Sequence, residues 1–218
     1  MELIVRRAAP YVETWEWQKA RARAVASAEA AEALMLVEHT PVYTLGQRSD
    51  PAHLGAGEAA LRAAGADVVW VDRGGDVTWH GPGQVTGYPI LDLKTRGKDL
   101  HRHVHTLEET LIELCATYGV VAARRQGMPG VWVDNRKIGA LGVKVDRSWV
   151  SYHGFALNVS CDVRWFERIV PCGLHGFAVT SLERELKTRV EWEEVAQRLA
   201  RAFAATPVQS PRLAEASL

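Results

Sequence analysis

Apolar residues fall mostly in short runs of strand length, with helical spacing in four places. Residues 3–6 read as a short edge strand. Residues 34–37 and 42–46 are two apolar runs separated by Pro41, and both are assigned to a central sheet. Residues 68–71 and 84–93 form two more β-type runs. Residues 130–133 and 136–145 flank Asp134-Asn135, the pattern of a hairpin, and residues 149–159 follow as a further strand.

The first helical stretch, residues 10–31, has a weak apolar stripe through Val12, Trp15, Ala22 and Val25. A short helix between residues 50 and 65 carries Leu54 and Leu61. Asp99 is a natural N-cap for a helix with Leu100, Val104, Leu107, Leu111, Leu114 and Tyr118 on one face, stopped by Gly119. The last, from about residue 191 to 203, carries Trp192, Val195, Ala196, Leu199, Ala202 and Phe203 along one side. His101, His103 and His105 are spaced by two, which turns them to different sides of a helix. They are read as surface residues and not as metal ligands.

Between two β-type runs lies the densest stretch of the chain, residues 73–84, with four glycines, a proline, Arg73, Thr78, His80 and Gln84. A plain hairpin needs only two to five loop residues, so this crowding marks the wall of a substrate pocket. The segment is not a dinucleotide fingerprint, since no G-x-G-x-x-G opens a helix, and it lacks the G-K-[ST] of a phosphate-binding loop.

With 218 residues and 47% hydrophobic content, the chain can bury one core. Its 26 basic and 26 acidic residues cancel, which removes a global field for nucleic acid or an anionic membrane. Three cysteines without metal-type spacing indicate a reducing compartment. Residues 1–7 carry charges where a signal peptide would have its apolar core, so a cytoplasmic protein is expected.

Of the three thiols, Cys115 lies beside a helix stripe, and Cys161 precedes Asp162, whose charge raises a thiol pKa. Cys172 sits between Pro171 and Gly173, at a bend suited to presenting a side chain, and is the best nucleophile candidate. A thiol with a free pKa near 8.5 needs a neighbouring cation or base. Lys137, His80, His153 and His175 are the candidates. Lys137 stands out because it begins an otherwise apolar run, where burial would lower its pKa.

Taken together, several segments resemble the lipoyl(octanoyl) transferases of lipoate biosynthesis. They are residues 38–46, Arg73-Gly74-Gly75 with Thr78, His80, Pro82-Gly83-Gln84 and Tyr88-Pro89, residues 130–133, Lys137-Ile138, Gly142, His153-Gly154 with residues 156–159, and Pro171-Cys172-Gly173. The resemblance implies an α+β fold, a mixed β-sheet flanked by helices, similar to the biotin and lipoate protein ligases and the class II synthetases. It implies one catalytic domain over residues 1–206, whereas residues 207–218 match nothing in the family and, with two prolines and no periodicity, read as a loosely ordered tail.

It further implies transfer of an octanoyl group from octanoyl-acyl carrier protein to a lysine of a lipoyl domain through a cysteine thioester. The lipoyl domains would be those of the 2-oxoacid dehydrogenase complexes and the glycine cleavage H protein. By position, Cys172 matches the acyl-accepting cysteine and Lys137 the lysine that activates it. The segments matching the acyl pocket hold Arg73, Gly74, Gly75, Asp76, Val77, Thr78, Trp79 and His80, then Ala140, Leu141 and Gly142, then Gly154, Phe155 and Ala156. His153 is a possible auxiliary, and His80 either positions substrate, shuttles a proton or bonds the turn. The expected enzyme is a monomer without cofactor, ATP or metal, its acyl donor carried on phosphopantetheine. The rivals are an ATP-dependent ligase, a non-catalytic binding module and a cysteine hydrolase.

Overall fold

The computed structural model describes residues 1–170 and 178–205. In chain order the elements are β1 (Glu2–Ala9), α1 (Tyr11–Ala26), β2 (Ala33–His39), β3 (Val42–Leu45), α2 (Glu58–Ala63), β4 (Asp67–Trp70), β5 (Thr78–His80) and β6 (Gln84–Ile90). Then come α3 (Leu100–Thr117), β7 (Ala123–Arg125), β8 (Met128–Val133), β9 (Arg136–Val145), β10 (Ser151–Asn158), β11 (Ala178–Val179), α4 (Leu182–Leu186) and α5 (Trp192–Ala205).

Among the described residues, an eight-stranded mixed sheet runs β1-β2-β6-β10-β9-β8-β7, and β11 pairs with β9 in parallel at Arg136 and Lys137. Its two faces follow from strand alternation. On β2, Leu34 and Leu36 point to the core beneath α3 and α5, while Met35 and Val37 point to the opposite side, toward α1. Val85, Phe155 and Leu157 join the first core with Leu107, Leu111, Val195 and Leu199.

The helix after Asp99 forms as its sequence suggests. The Asp99 carboxylate accepts the Arg102 N–H at 2.9 Å, and Gly119 follows the helix with φ of 76°. The hairpin also forms, with Asp134 at its tip in the left-handed region.

Four expectations need correction. Residues 42–45 leave the central sheet and build a separate three-stranded sheet, β4-β3-β5, because Pro41 breaks the run and β4 supplies a parallel partner. The buried side of α1 is Tyr11, Thr14, Gln18, Ala22 and Val25, with Val12 exposed; polar Thr14 and Gln18 hid the true stripe. Leu54 caps a 3-10 turn ahead of α2 and is not carried on it. His103 is buried, since α3 turns that side toward the protein.

The small sheet packs Tyr43, Leu45, Val68 and Trp79 into a second core with Leu54, Leu61, Val163 and Ile169. Central sheet and small sheet thus face each other across the glycine-rich segment. Residues 206–218 lie outside the described residues.

At Gly154 the neighbouring strand's backbone comes close, and an added Cβ would lie 2.2 Å from the Gly87 carbonyl oxygen. Gly154→Ala is therefore expected to lower unfolding free energy by roughly 1–3 kcal/mol, by overpacking against a neighbouring backbone. Denaturant midpoints check this, and an unchanged midpoint would contradict it.

Candidate active site

A cavity of about 930 Å³ opens between the central sheet and the small sheet, within the usual range of about 300–1,000 Å³ for small-molecule pockets. Its floor is paved with Ala140, Gly142, Gly154 and Ala156, which pair across β9 and β10 as Ala140 with Ala156 and Gly142 with Gly154. Small residues in register let a chain-like ligand lie close to the backbone.

The glycine-rich loop forms one wall and is stapled on two sides. Its Arg73 and Gly75 carbonyls accept the Gln47 and Arg48 N–H groups, and the Gly74 N–H donates to the Val143 carbonyl at 3.2 Å. Arg73 itself is buried. Its guanidinium donates to the Thr44 carbonyl at 2.6 Å, to the Thr44 hydroxyl at 2.9 and 3.2 Å, and to the Gly74 carbonyl at 3.0 Å. Burial lowers its pKa, opposed by Tyr11, Tyr88 and Asp76. Gly142 has no side chain because the Arg73 Cδ occupies that space, 2.9 Å from where a Cβ would stand.

Beside Arg73 lies a cluster of histidines and tyrosines. His80 donates through Nδ1 to the Gln84 side-chain oxygen at 2.7 Å, and Gln84 in turn donates to Asn158 at 2.9 Å. His39 bridges the Ala9 carbonyl (2.9 Å) and the Tyr88 hydroxyl (2.7 Å). His153 bridges Asp72 (2.9 Å) and the Tyr11 hydroxyl (3.3 Å). Burial pushes the His39 pKa down to about 4 and those of His80 and His153 below the ordinary value, so the three rings are neutral at pH 7.

Asp72 behaves oppositely. Burial raises its pKa, but hydrogen bonds from His153 and Tyr152 outweigh that and hold it well below the usual carboxylate range. His153 reaches Asp72 through a backbone φ of 56°, which breaks strand alternation so that Tyr152 and His153 both bond that carboxylate. Non-glycine residues in this region cost of order 1–3 kcal/mol and are held by their surroundings.

Lys137 lines the same cavity, its Nζ 3.3 Å from the Pro129 carbonyl and 4.7 Å from the centre of the Trp132 ring. Cys172 and His175 lie outside the described residues. Val170 and Ala178, the described residues flanking that segment, both line the cavity, and Val170 N–H donates to the His53 carbonyl at 2.8 Å. His53 Nδ1 is 2.7 Å from Asp76 Oδ2, although out of line for a hydrogen bond. The other two thiols are shut away: burial pushes both Cys115 and Cys161 up to about 12, with Asp162 a lesser cause at Cys161.

Of the residues singled out in the sequence, Arg73, Gly75, Asp76, Val77, Thr78, His80, Lys137, Ala140, Leu141, Gly142, His153, Gly154, Phe155 and Ala156 all border the cavity. Two do not. Trp79 is 1% exposed and stacks on Trp165 at 5.7 Å in the second core, because alternation on β5 turns it away from Thr78 and His80. Gly74 is taken up by its bond to Val143. Gln84, read from sequence as part of the pocket wall, lines the cavity as well, whereas Tyr11, Tyr88, Asn158 and Asp72 were given no role from sequence; the alternation of Gln84 and Tyr88 on one strand was the available signal.

Residues 10–204 match the lipoyl protein ligase A/B catalytic domain family. The fold is that of the lipoate and biotin protein ligases. A lipoate-protein ligase A bound with ATP aligns with a TM-score of 0.68 at 14% identity, covering 93% of this chain and 83% of that one. The biotin protein ligase from Aquifex aeolicus, in complex with biotin and ATP, aligns with a TM-score of 0.53 at 12% identity, covering 93% and 68%. The octanoyltransferase of Rubrobacter xylanophilus is 48% identical over 214 residues, 93% of this chain and 96% of its own length. The chain belongs to the octanoyltransferase family and is an acyltransferase.

The buried histidines make stability depend on pH. An unfolded histidine titrates near 6.5 and folded His39 near 4, so between these values the unfolded chain binds more protons. Unfolding free energy is then complete above pH 6.5 and falls as pH drops toward 4, by about 3 kcal/mol from His39 alone. Denaturant titrations across this window check it. A flat profile would contradict it, and His39→Gln is expected to flatten part of the slope.

Proposed function

We propose that the chain transfers an octanoyl group from octanoyl-acyl carrier protein to a lysine of a lipoyl domain, through a thioester on Cys172. The observation that carries this reading is the small-residue floor of the cavity, with Lys137 on its wall and Val170 and Ala178 on its border. Two peptide units separate Val170 from Cys172. Burying an eight-carbon acyl chain there contributes about 0.8 kcal/mol per methylene, about 5 kcal/mol for six.

In the first step the Cys172 thiolate attacks the thioester carbonyl and its new C–S bond forms, while the bond to the phosphopantetheine sulfur breaks and that sulfur leaves with a proton from the Lys137 ammonium. Lys137 favours the thiolate by its charge. In the second step the neutral amine of the acceptor lysine attacks the acyl-enzyme, the C–S bond breaks to return the Cys172 thiolate, and an amide forms as the amine's proton passes to Lys137 or a nearby histidine. Converting a thioester to an amide is downhill, so the reaction calls for no nucleotide. The acceptors are the lipoyl domains of the 2-oxoacid dehydrogenase complexes and the glycine cleavage H protein.

Incubation with octanoyl-acyl carrier protein without ATP is expected to add one octanoyl mass to the intact chain, and Cys172→Ser to abolish it. An adduct that survives Cys172→Ser, or turnover that requires ATP, would contradict the reading. Lys137→Ala is expected to slow adduct formation by roughly 10²–10⁴-fold, measured by quenched-flow mass spectrometry; a rate within twofold of wild type would remove Lys137 from the mechanism.

A further inference from the structure

Three histidines among the described residues line the cavity: His53, His80 and His153. His80 is 6% and His153 1% exposed, and both are bonded into the wall. The His53 side chain, on the turn Pro51–His53, is 24% exposed. Its ring is set against Asp76: Nδ1 is buried 2.7 Å from Asp76 Oδ2, while Asp76 Oδ1 accepts the Val77 N–H at 2.6 Å. A carboxylate only accepts, so the ring proton belongs on Nδ1 and Nε2 keeps its lone pair. The misalignment at Nδ1 is a rotation about a soft torsion, and such bonds tighten once a reactant is bound. Nε2 bonds to nothing among the described residues and, unlike Nδ1, is open to solvent.

The described chain on either side of Cys172 is anchored to His53 at one end and to Lys137 at the other. The Val170 N–H donates to the His53 carbonyl at 2.8 Å, and the Ala56 N–H to the Arg168 carbonyl at 3.1 Å. Beyond the segment, Ala178 and Val179 pair with Arg136 and Lys137, and the Thr180 N–H donates to the Lys137 carbonyl at 3.0 Å. Two residues of chain reach at most about 7 Å, which keeps the Cys172 Cα within that distance of the Val170 Cα. Lys137 is placed as a cation, its Nζ donating to the Pro129 carbonyl and resting over the Trp132 ring. An ammonium steadies a thiolate but has no lone pair with which to take a proton.

We propose that His53, oriented by Asp76, is the base of the second half-reaction. Its Nε2 takes the proton that the acceptor lysine's amine gives up as the C–N bond forms and the bond to the Cys172 sulfur breaks. The thiolate returns to the Lys137 ammonium, which regained its proton from solvent after the first half-reaction, and the imidazolium releases its own to solvent. This assignment deepens the octanoyl transfer proposed above and rests on it. His53 is the catalytic residue, and Asp76 is a positioning residue that acts through it.

The test measures the two half-reactions separately in the full chain: acyl-enzyme formation from octanoyl-acyl carrier protein, and transfer from preformed acyl-enzyme to a saturating lipoyl domain. His53→Gln is expected to slow transfer by roughly 10²–10⁴-fold, at least about tenfold more than it slows formation. Asp76→Asn can offer an N–H to Nδ1 and move the ring proton to Nε2, so it should slow the same half-reaction. With the base already gone, the double variant should be no slower than His53→Gln. Added imidazole is expected to restore part of the transfer rate in His53→Ala, which a packing role would not allow.

Transfer within twofold of wild type in His53→Gln would overturn the assignment and leave Lys137 as the base of both steps. So would equal losses in both half-reactions, or a change confined to the lipoyl-domain concentration at half-saturation. Single losses that multiply, or a His53→Ala chain that imidazole leaves unchanged, would also overturn it. If Asp76→Asn does not fold, the His53 variants, on a partly exposed turn, decide alone. A wild-type chain that forms no Cys172 adduct fails the octanoyl-transfer reading itself and is recognised before any variant is compared.

Discussion

A buried guanidinium holds the cavity wall in shape. Arg73 spends its donors on Thr44 of the small sheet and on Gly74 of its own loop, and is ion-paired to no carboxylate at salt-bridge distance among the described residues. Removing a charge from water is costly unless hydrogen bonds replace the lost solvent. Here those bonds tie the glycine-rich loop to the small sheet, and the space for them comes from glycines. A Cβ at Gly46 would stand 2.8 Å from Arg73 Nη1, and one at Gly142 would strike its Cδ. The loop composition is thus set as much by an arginine that must be packed as by a ligand that must approach.

The same cation shapes the chemistry beside it. Its charge joins burial in keeping His80 and His153 neutral, while the phenols of Tyr11 and Tyr88 are partly relieved of the cost of burial by it. Neutral histidines leave the guanidinium as the fixed positive charge of this wall. At the other end of the cavity the ammonium of Lys137 rests over Trp132. Between these two cationic ends runs a floor of alanine and glycine, which gives the slot an apolar middle.

Local signals were legible where the physics is local. The α3 helix was readable because Asp99, Gly119 and the apolar spacing lie within one element, and the β8–β9 hairpin because Asp134-Asn135 suits its turn. The placement of β3 was not, since its choice of β4 over the central sheet depends on a residue pairing 25 positions away, Val42 with Asp67. The burial of His103 and the role of Asp72 were equally hidden. Asp72 stands immediately before Arg73, yet its partners Trp15, Tyr152 and His153 come from α1 and β10. Cys172 and Lys137 were singled out by local setting and by family resemblance, whereas the place of Lys137 on a cavity wall is a tertiary property.

The central claim is that an amine at position 137 tunes a thiol at position 172. The pH dependence of Cys172 alkylation tests it most directly, because Cys115 and Cys161 are buried with pKa values near 12 and contribute little signal near neutrality. The account expects a midpoint below the free thiol value of about 8.5 in the wild-type chain and a higher one in Lys137→Ala. The same midpoint in both would contradict it.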